Sequence, residues 1–149
     1  MNIATVLNPN RVWCQAPGGS KKRVLENLSD FLAEQIPALN AGELFTQLIA
    51  RERLGSTGLG FGIAIPHCRL STIEEPVGAL ARLETPIDFD SPDDEPVDLL
   101  FVLVVPEASN EAHLELLAAL ASQFSQPAWC QRLRDATSAT ELFDAAVAA

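Results

Sequence analysis

Residues 97–105 read VDLLFVLVV, and the fold class turns on them. A strand on a half-wetted sheet alternates apolar and polar side chains. An apolar run without such alternation fits a strand buried on both faces, which predicts a central position with helices on either side. The strongly apolar part, 99–105, is too short to cross a bilayer.

Working outward, residues 77–83 and 63–65 read as further strands, the latter ending at Pro66, and a short N-terminal strand is expected at 12–14. Ser20 offers an N-cap for a helix over 21–35 with Val24, Leu28 and Phe31 at helical spacing, closed by Pro37. Asn40 and Glu43 resemble a capping box for a second helix, whose stripe is Leu44, Phe45, Leu48 and Ile49 and whose stop is Gly55. Arg51 and Arg53 then fall in its last turn, where cations suit the helix dipole. Ser109 or Asn110 is expected to cap a helix to about Ser125, carrying His113, Leu117, Leu120 and Phe124 on one stripe. Pro127 opens a short helix through Trp129 and Leu133, and Ser138 with Glu141 starts the last one. Between the second and third strands, PIDFDSPDDEP reads as a proline-bounded acidic loop. Helices alternating with three or more strands indicate one α/β or α+β sandwich domain over residues 1–149.

A net charge of −10 argues against nucleic acid as a partner, because phosphate contacts need clustered Lys and Arg. The one basic cluster, Lys21-Lys22-Arg23, falls at a helix start and reads as a solvated face. Three irregularly spaced cysteines, Cys14, Cys68 and Cys130, fit reduced thiols in a cytoplasm. With no basic-then-apolar leader at the N-terminus, a cytoplasmic protein without membrane insertion is expected.

The chemistry concentrates in GSTGLGFGIAIPHCRL, residues 55–70, where one of only two histidines follows a short apolar run and a proline. Pro66 restricts the backbone before His67. His113 opens the apolar stripe of its helix, so its ring is expected to face the sheet. Glycines 55, 58, 60 and 62 let backbone approach a ligand, Ser56 and Thr57 add hydroxyls, and Arg51 supplies a planar fork suited to a phosphoryl group. A neutral imidazole is a competent nucleophile toward phosphorus near neutral pH. The pattern suggests a histidine-centred anion site. It stands beside plainer readings, in which His113 is a core histidine and Arg51 a helix C-terminal cation. The glycines match neither a P-loop nor a dinucleotide fingerprint. His67 and Cys68, being adjacent, would point to opposite sides of an extended chain, which disfavours a Cys–His pair. No two candidate ligands show zinc spacing, and the acidic loop departs from the EF-hand pattern.

The stretch RERLGSTGLGFGIAIPHCRL, with SKKRVLENLSDFLAEQ, LETPIDFD, PVDLLFVLVVP and CQRLRDATSATELF in order, resembles the enzyme IIA proteins of the bacterial phosphotransferase system. The resemblance is to the fructose/mannitol type, and within it to the nitrogen-regulatory branch. It implies a single EIIA type-2 domain with a mixed parallel and antiparallel central sheet. It further implies that His67 accepts a phosphoryl group on Nε2 from a phosphohistidine of an HPr-like carrier, with His113 positioning the ring and Arg51 stabilising the phosphate. Ser56 and Thr57 would line the same pocket. No metal or organic cofactor is required. Many members have glycine where Cys68 stands, a departure that could alter oxidation sensitivity. A free-standing protein of this branch is expected to regulate targets, such as a potassium transporter or a sensor kinase, by its phosphorylation state. The neighbouring alternatives are a sugar-uptake component using the same chemistry and a non-catalytic anion or metal-binding module.

Overall fold

The apolar run forms β6 (Val97–Pro106), and its side chains alternate between two separate cores. Leu100, Val102 and Val104 enter one, Leu99, Phe101, Leu103 and Val105 the other, and every one is fully buried. Asp98 is the exception in the run, half-buried and ion-paired at 2.9 Å with Arg134. The computed structural model describes residues 2–108 and 111–148.

The other strands are β1 (Val12–Ala16), β2 (Gly58–Gly60), β3 (Ile63–Ala64), β4 (His67–Leu70) and β5 (Val77–Ile87). The sheet has six strands, ordered β1–β5–β6–β3–β2, with β4 also pairing β6. β6 runs antiparallel to β5 and parallel to β3 and β4, while β1 is parallel to β5, so the sheet is mixed. Helices α2 (Lys21–Gln35) and α3 (Ala41–Leu54) cover one face. On the other lie α1 (Ile3–Val6), α4 (Glu111–Phe124), α5 (Pro127–Asp135) and α6 (Ala139–Val147). The expected α/β sandwich with a mixed central sheet flanked by helices is the observed fold.

The helix ends follow their caps. Ser20 Oγ accepts from Arg23 N–H, Asn40 Oδ1 from Glu43 N–H at 2.9 Å, and Ser138 Oγ from Glu141 N–H at 3.1 Å. The expected box at Ser138 is only half formed, because the Glu141 carboxylate turns to the N–H and hydroxyl of Thr137, both at 2.7 Å. The expected caps Ser109 and Asn110 lie outside the described residues. Arg82 ties sheet to helix: its Nη1 donates to the carbonyls of Leu133, Arg134 and Ala136 at the C-terminal end of α5.

The structure also holds elements that the sequence reading did not include, β2 among them. Before Val12, α1 and a 3₁₀ turn, Pro9–Arg11, bring Ile3, Val6 and Leu7 into the core. β5 continues past Leu83 through exposed residues 84–86 to Ile87, which pairs with Val97 after a register shift. A proline is tolerated at such an irregularity because no ladder donor is needed there. Finally, β3 ends before Pro66 as expected, and a further strand, β4, begins at His67.

Candidate functional site

β4 pairs in parallel with β6 from His67 opposite Leu103, with Pro66 O accepting Leu103 N–H at 2.9 Å. The two-residue alternation sends Cys68 and Leu70 into the core beneath α2 and α3, and His67 to the opposite face. Cys68 is only 6% exposed and packs within this core. Burial, with Glu43 nearby, pushes its thiol up to about 12, so it stays protonated and unreactive.

His67 is half-buried, with Nδ1 2.8 Å from the carbonyl oxygen of Ile65. A carbonyl only accepts, so in the neutral ring Nδ1 carries the hydrogen and Nε2 the lone pair. Nε2 has no protein partner among the described residues. His113, in the first turn of α4, is buried, and its ring meets that of His67 edge-on at 5.6 Å between centroids and 62° between planes. Its Nδ1 is buried without a partner among the described residues. Such an orphan costs about 1–3 kcal/mol and is the kind of exception that functional sites retain.

Burial, more than anything else, holds His67 below the ordinary histidine value. The Ile65 carbonyl opposes that shift, Arg51 reinforces it and Glu52 opposes it. His113 is lowered by burial first, then by His67 and Arg69. Both rings are therefore neutral at pH 7, the state in which an imidazole nitrogen can act as a nucleophile.

Arg51, in the last turn of α3, donates from Nη1 to Gly55 O at 2.9 Å, closing its own helix. The same guanidinium lines two adjoining cavities that share His67. One, of about 390 Å³, also involves Gln47, Leu54, Arg69 and His113. The other, of about 250 Å³, involves Ser56, Thr57, Leu59 and Leu117. Helix cap and anion fork are thus compatible roles for one side chain. Its remaining N–H groups have no protein partner among the described residues.

Ser56 and Thr57 border the second cavity, but their hydroxyl hydrogens are directed elsewhere. Ser56 Oγ donates to Phe89 O at 2.8 Å and accepts from Gly58 N–H at 3.0 Å. Thr57 donates both its hydroxyl and its backbone N–H to the Glu52 carboxylate. Glu52, which sequence reasoning missed, is a buried anion whose side chain is 3% exposed, ion-paired to Lys21 at 2.9 Å. Lys21 also lies 4.5 Å from the Phe89 ring centroid. The signal for Glu52 was present: Leu44, Leu48 and Glu52 are spaced by four residues, which puts the carboxylate on the buried stripe of α3. Lys21, read as part of a solvated face, is in fact half-buried against this network. Among the described residues, no three His, Cys, Asp or Glu side chains converge as a metal-ligand set. No helix there is long and apolar enough to cross a membrane.

Residues 5–146 match the model of the phosphoenolpyruvate-dependent sugar phosphotransferase system EIIA 2 family. The chain is 48% identical to a nitrogen regulatory protein of Pseudomonas aeruginosa over 147 residues, covering 99% of this chain and 96% of that one. Nitrogen regulatory protein IIA-Ntr of Neisseria meningitidis superposes with a TM-score of 0.89 at 40% identity, covering 97% of this chain and 99% of that one. The fold also recurs, at TM-score 0.77 and 16% identity, covering 94% and 97%, in the enzyme IIA-mannitol of Escherichia coli solved in complex with phosphorylated enzyme IIB-mannitol. By sequence and by fold, this chain belongs to the phosphotransferase system EIIA 2 family, with its nitrogen-regulatory members.

Proposed function

We propose that His67 is a phosphoryl acceptor, charged by a phosphohistidine of an HPr-like carrier, and that its phosphorylation state is read by regulated targets. The observation that carries this reading is the Nδ1 contact of His67 with Ile65 O at 2.8 Å, in a cavity shared with Arg51 and His113. That contact fixes the tautomer, so the Nε2 lone pair attacks phosphorus in line. The P–N bond of the donor breaks, and the donor imidazole leaves with the electron pair. No proton need be lost from His67, because Nδ1–H stays on the Ile65 carbonyl, which also favours the positive charge that the phosphorylated ring acquires. Arg51 stabilises the equatorial phosphoryl oxygens, and the edge of His113 limits rotation of the reacting ring. Ser56 and Thr57 shape the wall of the pocket, with Thr57 anchored from behind by Glu52.

A phosphoryl group adds about −1.5 to −2 charge, by analogy with other phosphorylated side chains. A partner that buries the mouth of the cavity would feel the added charge directly, which is the physical basis for regulation. The test is intact mass after incubation with phosphoenolpyruvate, the general phosphotransferase enzyme and the HPr-like carrier. One acid-labile phosphoryl group is expected on the wild-type chain and none on His67→Ala. No gain on the wild type, with the carrier shown to be phosphorylated, refutes the proposal.

A further inference from the structure

The β2–β3 hairpin turns at a residue poorly suited to turning it. Gly60 pairs with Ile63, leaving Phe61 and Gly62 as a two-residue loop with φ of 57° and 81°. Positive φ at both central positions is the geometry that favours Asn-Gly or Gly-Gly, and a bulky side chain there is strained. The other non-glycine residues with positive φ are Gln15, Asp90 and Asp94, so Phe61 is the one aromatic in this state among the described residues. Its backbone is held from both sides. The N–H donates to Asp93 Oδ2 at 2.9 Å, and the carbonyl accepts from Arg134 Nη2 at 2.8 Å. Arg134 is itself fixed by two nitrogens on the Asp98 carboxylate. The strain secures nothing for the core, since Phe61 is 82% exposed. Strain kept for an exposed aromatic points to function, and large rigid aromatics are what protein interfaces use as anchors.

Its position says what the ring faces. Phe61 rims a cavity of about 370 Å³ with Ile63, Phe124, Pro127 and Cys130. Phe124 ends α4, the helix whose first turn holds His113 against His67. Leu59, 42% exposed, lies between the two ends in the cavity that includes His67. His113 and Phe124 are separated by about 16 Å along α4 at the usual helical rise. A partner centred on His67 and covering about 800 Å² would extend over a disc of about 16 Å radius, comparable to the His113–Phe124 span. The loop that binds Phe61 N–H carries exposed Asp93, Asp94 and Glu95, so the matching surface is apolar and flanked by Lys or Arg.

We infer that Phe61 is a second anchor for the phosphohistidine donor protein, remote from the reacting ring and contributing to docking rather than to transfer; this rests on the His67 reading for the identity of the partner. Asn suits the turn geometry better than Phe, so Phe61→Asn separates the two roles. It should raise Tm, while weakening the Kd for the unmodified HPr-like carrier about tenfold in a titration of the isotope-labelled carrier. Phe61→Trp, which keeps an aromatic, should bind within about threefold of wild type. At saturating carrier, phosphoryl transfer to Phe61→Asn should match wild type. A Kd unchanged in Phe61→Asn overturns the inference, as does a wild-type chain that does not bind the carrier. A wild-type dimer in sedimentation that Phe61→Asn abolishes, with carrier affinity unchanged, would assign the ring to self-association instead and overturn it too. Binding without phosphoryl gain would refute the reading of His67 and leave the anchor standing.

Discussion

Removing Lys21 should destabilise this protein more than removing the carboxylate it neutralises. The Glu52 side chain is 3% exposed and receives three donors: Lys21 Nζ at 2.9 Å and the N–H and hydroxyl of Thr57. In Lys21→Met the anion stays buried with two neutral donors. That places the cost near the lower end of the range for an uncompensated buried charge, about 3 kcal/mol. Glu52→Gln preserves shape and can still accept from Thr57 N–H. The cation it leaves behind is 19% exposed, with Asp90 3.8 Å away and water within reach, so the cost should be about 1.5 kcal/mol. The double variant should cost less than the sum, with a coupling of at least about 1 kcal/mol. Urea unfolding of the four proteins gives all three quantities, provided the m-values agree. A Lys21→Met cost below that of Glu52→Gln, or strict additivity, would refute the reasoning and mean that the pair is solvated rather than buried.

Two further outcomes follow from the titrating groups. Both histidines should show NMR midpoints below the ordinary 6.5, since burial lowers each. The folded chain then binds fewer protons than the unfolded one just beneath that value. Their contribution to stability is thus full above about 6.5 and declines as pH falls through the folded-state midpoints; a midpoint above 6.5 for either ring contradicts this. With its thiol pushed up to about 12, Cys68 should resist alkylation at pH 8 while half-buried Cys14 reacts. Equal rates, resolved by peptide mass, would contradict the placement of Cys68.

Elements with a single dominant signal were legible in the sequence. The run at 97–105 specified a doubly covered central strand, and Ser20, Asn40 and Ser138 marked three helix starts that their caps do make. Proximity was less legible. Val77–Ile87 outran its expected end because pairing with β6 resumes at Ile87, inside the stretch that read as an acidic loop. β4 was missed because a four-residue strand after a proline has too few alternations to register, and its pairing with β6 is a long-range fact. At the site, the residue types of His67, His113 and Arg51 were informative, and the structure brings all three to one cavity. Ser56 and Thr57 illustrate the opposite case, since a hydroxyl's position near a pocket does not reveal where its hydrogen points. Glu52 was written on the stripe of α3 and passed over, because a carboxylate on a buried face is read as exposed until its partners are known.

On the proposed reading, the Ile65 carbonyl holds Nδ1–H and leaves Nε2 of His67 as the phosphoryl acceptor. Long-range ¹H–¹⁵N spectra of the histidine-labelled, phosphorylated protein test it directly. The expected spectrum shows phosphorus coupled to Nε2 of His67 and a slowly exchanging proton retained on Nδ1. Phosphorus on Nδ1, or on His113, would contradict the account.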